Sequence, residues 1–311
     1  MTLQQLRVFV QIVEQGSIRA AARYLGMEQS GLTQQIKRLE ASLGVNLLLR
    51  TSRGITLSSA GSELLTRARI ILRECERVEQ AFRHLHGDLS GSISVGASSE
   101  VFGLLLAPVL TEFRSQHPKV SVHISAGPST MLLSALREGR LDFALTLVSS
   151  GTDLGDLKHT KLADSDPCVL CRKGHPLRHA ESLEELQEAE WVNTTPLGRA
   201  GTPANRLADW FARNELRPPR MIGSVESLFD TLDLIASSDY LFLAPKIVLS
   251  KLSLSAHLDL IQVAEPIPAS DLCILERATV ELAPAPQAFS RLLLPRVNER
   301  LSGIGSETQQ T

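Results

Sequence analysis

Residues 17–43 read SIRAAARYLGMEQSGLTQQIKRLEASL, and the organisation of the N-terminal end follows from this stretch. Ser17, directly after Gly16, is a good N-cap for a short helix reaching Leu25. Ala20, Ala21 and Ala22 keep that helix thin, so a neighbour can approach closely. Gly26 stands where a helix C-terminus favours a left-handed residue. After the turn Met27-Glu28-Gln29 another helix runs to about Leu43, with Leu32, Ile36, Leu39 and Leu43 on one apolar stripe. Its other face carries Gln29, Ser30, Thr33, Gln34 and Lys37. Upstream, Leu3, Leu6, Val10 and Val13 repeat at helical spacing. Helix, short turn, then a helix with one apolar and one polar face is the helix-turn-helix pattern.

Residues 45–58, VNLLLRTSRGITLS, come next. Two short β-like runs flank the turn-forming Ser52-Arg53-Gly54, which reads as a wing with Arg50 and Arg53 near its tip. Residues 1–60 hold seven basic and three acidic side chains, a net +4. The whole chain carries −2, which leaves −6 on residues 61–311. A basic head on an acidic body points to one end that meets a polyanion. A polar helix face alone is ordinarily just solvated. Inside a helix-turn-helix beside a basic wing it becomes a base-reading face. Gln34 suits adenine, Lys37 or Arg38 suits phosphate or guanine, and the helix N-terminus at Ser17 suits phosphate. The expected partner is double-stranded DNA, contacted by Ser17, Gln29, Ser30, Thr33, Gln34, Lys37, Arg38, Arg50 and Arg53.

A long helix is expected from about Ser59 to His86. Leu64, Ala68, Ile71, Cys75, Val78, Phe82 and Leu85 recur in alternating steps of four and three, a coiled-coil seam. The residues between are highly charged, so the expected cover for the seam is the same helix of a second copy. Gly87 and Gly91 mark a linker.

From residue 92 the periodicity changes. Ser92–Gly96 reads as a strand, Phe102–Phe113 as a helix, Val120–Ile124 as a strand, Ser129–Arg137 as a helix and Leu141–Val148 as a buried strand. That order implies a parallel sheet with right-handed crossovers. The pattern pauses at Gly151–Lys161 and restarts. Strands are expected at Cys168–Arg172, Met221–Val225, Tyr240–Leu243, Leu258–Val263 and Leu272–Leu275. Helices are expected at Leu183–Glu188, Pro203–Asn214, Leu228–Ala236 and Pro286–Leu301, with a loose tail from Ser302. Two α/β lobes make a cleft, and such clefts bind small molecules. Ser98, Ser99, Ser129 and Thr130 follow strand ends and open helices. They either cap those helices or hold a small organic anion with the free helix N–H groups. Thr194, Thr195, Glu226 and Ser227 would face them from the second lobe.

Residues 3–61 resemble the DNA-binding end of LysR-type transcriptional regulators. The resemblance rests on the Gly16-Ser17 step, the Ala20-Ala21 pair, Arg38-Leu39-Glu40, Leu43-Gly44, and Arg50 ahead of Thr56-Leu57-Ser58. Gly139-Arg140-Leu141-Asp142 and Gly174-His175-Pro176-Leu177 extend it over essentially the whole chain. The recognition helix usually opens with Ser-Gln-Pro-Ala in that family; Glu28-Gln29-Ser30-Gly31 stands here, without the proline and with no alanine methyl for a thymine. The resemblance implies an α/β protein: an all-α winged helix-turn-helix over residues 1–58, a dimerising linker helix over 59–87, and an effector domain over 91–302 resembling periplasmic binding proteins. Lobe I would span 91–162 and 267–302, and lobe II 163–266. It further implies a homotetramer, a small-molecule effector between the lobes and contact with RNA polymerase.

Composition agrees with a folded regulator. Of 311 residues, 43% are apolar and 21% charged, which excludes a disordered chain. No signal-peptide pattern or apolar run long enough for a membrane span is legible, so a cytoplasmic location is expected. Four cysteines exclude a disulfide scaffold. Cys168-Val-Leu-Cys171 matches CxxC, yet i and i+3 point to opposite faces of a strand, so core packing is expected and not zinc. No nucleophile elbow, phosphate-binding loop or dinucleotide fingerprint stands in context, so neither catalysis nor a cofactor is expected. A solute-binding protein would share the two lobes but not the basic head.

Overall fold

The computed structural model describes the chain except residues 52–53, 86–88, 103–105, 150–151, 195–202, 247, 249–255 and 308–311. The side chains of 50, 51, 54, 81, 83–85, 100, 203–205, 294 and 298–307 also lie outside the description. The chain divides into two compact units, one of residues 1–88 with 138–140, the other of 89–137 and 141–311.

The first unit begins with α1 (Leu3–Glu14), α2 (Ile18–Leu25) and α3 (Gln29–Leu43). Thr2 caps α1 reciprocally: its hydroxyl accepts from the Gln5 amide at 3.3 Å, and the Gln5 side chain accepts from the Thr2 amide at 2.8 Å. Gly26 closes α2 at φ 63°, and from this left-handed position the chain turns directly into α3. Leu6, Phe9, Ile12, Ala21, Leu32, Leu39 and Leu47 are fully enclosed in one core. β1 (Leu48–Thr51) follows, paired antiparallel with β2 (Gly54–Leu57), Thr51 standing opposite Gly54. Glu40 anchors the wing to α3, because its Oε1 accepts from the amides of Leu47 and Leu48 at 2.8 and 3.2 Å.

The long helix α4 (Ser59–Leu85) starts under Ser58, whose hydroxyl accepts from the Gly61 amide at 3.0 Å. Its seam is divided. Ala68 is fully buried in the head's own core, and Leu64, Leu65 and Leu72 pack beside it. The expected continuous seam is therefore corrected at Leu64 and Ala68, which α1 and its neighbours cover. From Ile71 onward the stripe emerges: Ile71, Val78 and Phe82 are 37%, 52% and 63% exposed, and Cys75 is half-buried. Leu85 ends the helix, but its side chain lies outside the description.

The second unit holds two five-stranded sheets. The first comprises β3 (Gly91–Ala97), β4 (Val120–Ala126), β5 (Phe143–Ser149), β6 (Leu157–Ser165) and β12 (Ser270–Arg277), in the order β4-β3-β5-β12-β6. The second comprises β7 (Pro167–Arg172), β8 (Glu190–Asn193), β9 (Arg220–Ser224), β10 (Leu241–Pro245) and β11 (Leu258–Ile261), in the order β11-β7-β10-β8-β9. Helices α5 (Ser99–Val101), α6 (Ala107–Gln116), α7 (Ser129–Arg137) and α10 (Pro284–Glu307) accompany the first sheet; α8 (Pro203–Arg213) and α9 (Leu228–Ala236) accompany the second. Pairings β3–β4, β3–β5, β8–β9 and β8–β10 are parallel, whereas β12 runs antiparallel to both its neighbours, β5 and β6.

Several expected boundaries move. Of the helix expected at Phe102–Phe113, residues 103–105 lie outside the description; α6 covers the rest from Ala107 and runs on to Gln116, and Pro108 sits in its first turn, where its missing N–H costs nothing. The pause at Gly151–Lys161 contains most of β6, a nine-residue strand whose central residues face solvent and so lack an apolar alternation. The four-residue β8 was too short to show one. The expected helix at Leu183–Glu188 is a single 3-10 turn at Glu184–Leu186. Helix α10 continues past Ser302 to Glu307.

Candidate functional site

On the head, Ser17 caps α2, its hydroxyl accepting from the Ala20 amide at 3.1 Å. Gln29, Ser30, Gln34, Lys37 and Arg38 are exposed on α3, opposite buried Leu32, Ile36 and Leu39. Two hydroxyls of this face are already engaged. Thr33 donates to the Gln29 carbonyl at 2.9 Å, and Ser30 donates to the Glu28 carboxylate at 3.3 Å. Glu28, an unfavourable charge beside phosphate, thus stands at the start of α3, where the helix dipole favours an anion. Gln34, Lys37 and Arg38 are the long side chains that project from the middle of the face. The backbone of Arg50 lies in β1, its side chain lies outside the description, and Arg53 lies outside the described residues altogether.

In the second unit a cavity of about 50 Å³ opens where strand C-termini of both sheets meet. A water needs ~10–15 Å³ on a comparable measure, so the space suits a ligand of a few heavy atoms. Its floor is apolar, with Leu147, Leu228, Phe242 and Leu243. Ser98 and Ser99 reach it from the end of β3, Gly127 to Ser129 from the end of β4, and Thr194 from the end of β8. Ser98 is only 3% exposed, does not cap α5, and its hydroxyl makes no hydrogen bond among the described residues. Plain capping therefore does not explain it. Ser129 shares a 2.6 Å hydrogen bond with the Thr146 hydroxyl.

Other expected positions lie elsewhere. Thr130 is exposed and does not line the cavity, because neighbouring helix positions diverge by about 100° and Ser129 faces inward. Ser227 does cap α9, accepting from the Asp230 amide at 3.3 Å, and the adjacent Glu226 and Leu228 line the cavity instead. Thr195 lies outside the described residues.

Three polar lining residues escaped the sequence reading: Ser149, Asn193 and Arg206. Asn193 is 6% exposed, and its Oδ1 accepts from the Thr194 amide at 2.9 Å, so the remainder of its amide is a pair of donors. Arg206, on α8, is 7% exposed and donates through Nη1 to the Ser270 hydroxyl at 2.9 Å. The only local signal was the proximity of an arginine to the predicted helix start at Pro203, which says nothing about burial.

The motif cysteines occupy opposite sides of β7. Cys171 packs with Trp191 and Trp210, whereas Cys168 packs with Leu232 and Phe242. Burial removes solvation from the thiolates and pushes the Cys168, Cys171 and Cys273 thiols up to about 12, 11 and 11. Titration of the native protein with a thiol reagent at pH 8 is expected to spare Cys168, Cys171 and Cys273. Modification of Cys168 or Cys171 before unfolding would contradict this packing.

His175 of the Gly-His-Pro-Leu run serves the fold. Its Nδ1 accepts from the Leu177 amide at 3.0 Å, so Nε2 carries the proton and donates to the Asp239 carbonyl at 3.0 Å. Asp142 is equally committed, accepting from the Ser94 amide at 2.8 Å and holding β3 in register.

Comparison with known proteins adds an independent line. Residues 3–62 match the family described as bacterial regulatory helix-turn-helix protein, lysR family, and residues 86–298 match the LysR substrate binding domain. The chain is 29% identical to the HTH-type transcriptional regulator GalR of Pseudomonas putida, covering 96% of this chain and 74% of the relative. It is also 29% identical to the nitrogen assimilation regulatory protein nac of Klebsiella aerogenes, covering 96% of each. Among solved structures, full-length CbnR complexed with its target DNA superposes with a TM-score of 0.66 at 21% identity, covering 95% of this chain and all of that one.

Proposed function

We propose a function from one premise: the chain belongs to the LysR family of bacterial helix-turn-helix regulators. It is a DNA-binding transcriptional regulator, not an enzyme, and a small-molecule effector modulates it. The observation that carries this reading is the pairing in one chain of a basic helix-turn-helix with a two-sheet domain cradling a small cavity. CbnR, a protein of similar fold, is described in complex with its target DNA, which supports placing α3 in a major groove here. Within that reading Gln34 contacts a base edge, Lys37 and Arg38 contact guanine or phosphate, and the α2 N-terminus at Ser17 meets phosphate. The effector is a small organic anion in the cavity bounded by Ser98, Ser99, Ser129 and Thr194. The exposed half of the α4 stripe pairs with a second copy, and the assembled oligomer acts on RNA polymerase at the promoter. No described helix is long and apolar enough to cross a membrane.

The test is a binding-site selection with the full-length protein. Gln34→Ala is expected to relax preference at one base position and to weaken the best site by roughly 1–3 kcal/mol. Lys37→Ala would weaken a wider range of sequences and reduce the salt slope by about one phosphate contact. Unchanged relative affinities across the library in Gln34→Ala would remove Gln34 from base reading.

A further inference from the structure

We infer that Glu28 is a specificity-determining residue of the head, its carboxylate accepting a hydrogen bond from the amino group of a cytosine in the major groove. This rests on the reading of α3 as the helix that enters the groove, and it adds a base to what that helix selects. The first observation is how the head uses its acidic residues. Residues 1–60 hold three, Glu14, Glu28 and Glu40. Glu14 pairs with Arg69 of α4 at 3.5 Å, and Glu40 accepts from the Leu47 and Leu48 amides. Both serve the fold. Glu28 stands exposed at the N-cap of α3, and its side chain caps no backbone amide there. Among the described residues its carboxylate accepts only from the Ser30 hydroxyl, at 3.3 Å. Ser30, Gln34 and Lys37 follow one another at i, i+4 and i+7 along the exposed face, so this hydrogen bond turns the carboxylate toward that face. A negative charge near phosphate weakens binding to every sequence alike, and only a donor on a base edge offsets it. Guanine offers N7 and O6 in the major groove and thymine offers O4, all of them acceptors that repel a carboxylate. Adenine offers an amino group beside the acceptor N7, and cytosine offers its amino group alone. Cytosine is the base that suits Glu28.

The second observation is independent of that charge. Gly31 stands in the first turn of α3, three residues beyond Glu28 and therefore beside it on the helix. Its backbone is helical, and a Cβ built there meets no atom within 4 Å. Neither conformation nor packing asks for glycine, and glycine weakens a helix relative to alanine. What its bare backbone removes is an apolar contact for the thymine methyl group. Glu28 repels the thymine carbonyl and Gly31 gives the thymine methyl nothing to pack on, so both residues turn the same pyrimidine choice toward cytosine.

The experiment is a selection from a pool of randomised DNA duplexes with the full-length protein, followed by affinities for duplexes that carry each of the four base pairs at every selected position. The wild-type protein is expected to hold a cytosine at one position of each half-site, preferring it over thymine or guanine by roughly 5- to 100-fold. Glu28→Ala should bring the four bases at that position within about twofold of one another. It should also strengthen binding to arbitrary sequences and steepen the salt dependence, because a repelling charge is gone. Glu28→Gln, which keeps the length of the side chain, should move the preference toward adenine, whose N6 and N7 match an amide. Gly31→Ala should lower the ratio of cytosine to thymine several-fold. None of these changes removes a capping bond or a packed contact, so the melting temperature of the free protein should stay the same or rise in each; a fall in Glu28→Ala would assign the carboxylate to the fold and overturn the inference. Glu28→Ala that strengthens all sequences equally and leaves every base preference intact reduces Glu28 to a repelling charge and overturns it as well. Preferences that respond to Gln34→Ala but not to Glu28→Ala refute Glu28 alone and leave α3 as the reading helix. A wild-type selection with no sequence preference at any position removes the reading of α3, and this inference with it.

Discussion

Val78→Glu leaves each chain folded and lowers affinity for a paired operator by roughly 10²–10⁴-fold, the range by which linked binding exceeds single-site binding. The side chain is 52% exposed in the single chain, so a charge there costs the isolated fold little. Val78 lies between Ile71 and Phe82, whose exposed surfaces continue the same stripe. In a helix pair these side chains meet their counterparts, and two glutamates are then forced together in a dry seam. The heads no longer act as a linked pair, and each half-site must be occupied separately. Sedimentation should show a smaller species, and a single half-site should be bound as well as before. An unchanged oligomer that binds the paired site normally would eliminate α4 as the dimerisation element.

Gly61→Val should unfold the head while sparing the sensor. A Cβ at Gly61 collides with the Leu47 carbonyl oxygen and sits 3.0 Å from a Leu57 methyl. That carbonyl is committed, since it accepts from the Ser58 amide at 3.0 Å where the wing ends and α4 begins. Backbone cannot yield as a side-chain tip does, so overpacking here reaches the upper end of its range, about 3 kcal/mol or more. Calorimetry of the full chain should show the transition of the first unit lowered or lost and that of the second unchanged. DNA binding should disappear while the second unit keeps its fold. Wild-type DNA affinity in Gly61→Val would show that the approach of α4 to the wing is not tight.

The two units were legible to different degrees, for a physical reason. The head consists of short helices whose apolar positions must repeat at the helical period, and Leu32, Ile36 and Leu39 did so. Turn residues such as Gly26 and Ser17 are local requirements, visible without the fold. The parallel strands β3, β4 and β5 announced themselves by the alternation of β and α segments. Strand β6 did not, since it lies on the outside of the sheet and is stabilised by pairing with β12, more than a hundred residues later. The cavity was half legible. Ser98, Ser99 and Ser129 follow strand ends, where a loop-to-helix junction can be recognised. Arg206 became a site residue only because packing of α8 placed it beside Ser270, 64 residues away. Thr130 and Ser227 stand beside the cavity lining and not in it, because the facing of a helix's first turn follows from how the helix docks. The seam on α4 was read as uniform because spacing cannot reveal that Leu64 and Ala68 were already claimed by the head's own core.

The route of the chain between the two sheets has an evolutionary consequence. Residues 167–261 build the second sheet as one continuous segment, and the strands that flank it, β6 and β12, pair with each other so that Ser165 faces Ser270. The segment leaves and returns at neighbouring points, as an insertion into a pre-existing sheet would, and its ends require little loop entropy to join. It is therefore a transferable cassette. Asn193 and Arg206 travel with it, while Ser98 and Ser129 stay with the host sheet. Recombination at the β6–β12 junction would exchange one side of the cavity lining at a stroke and leave the other side, and the exposed face of α3, inherited unchanged.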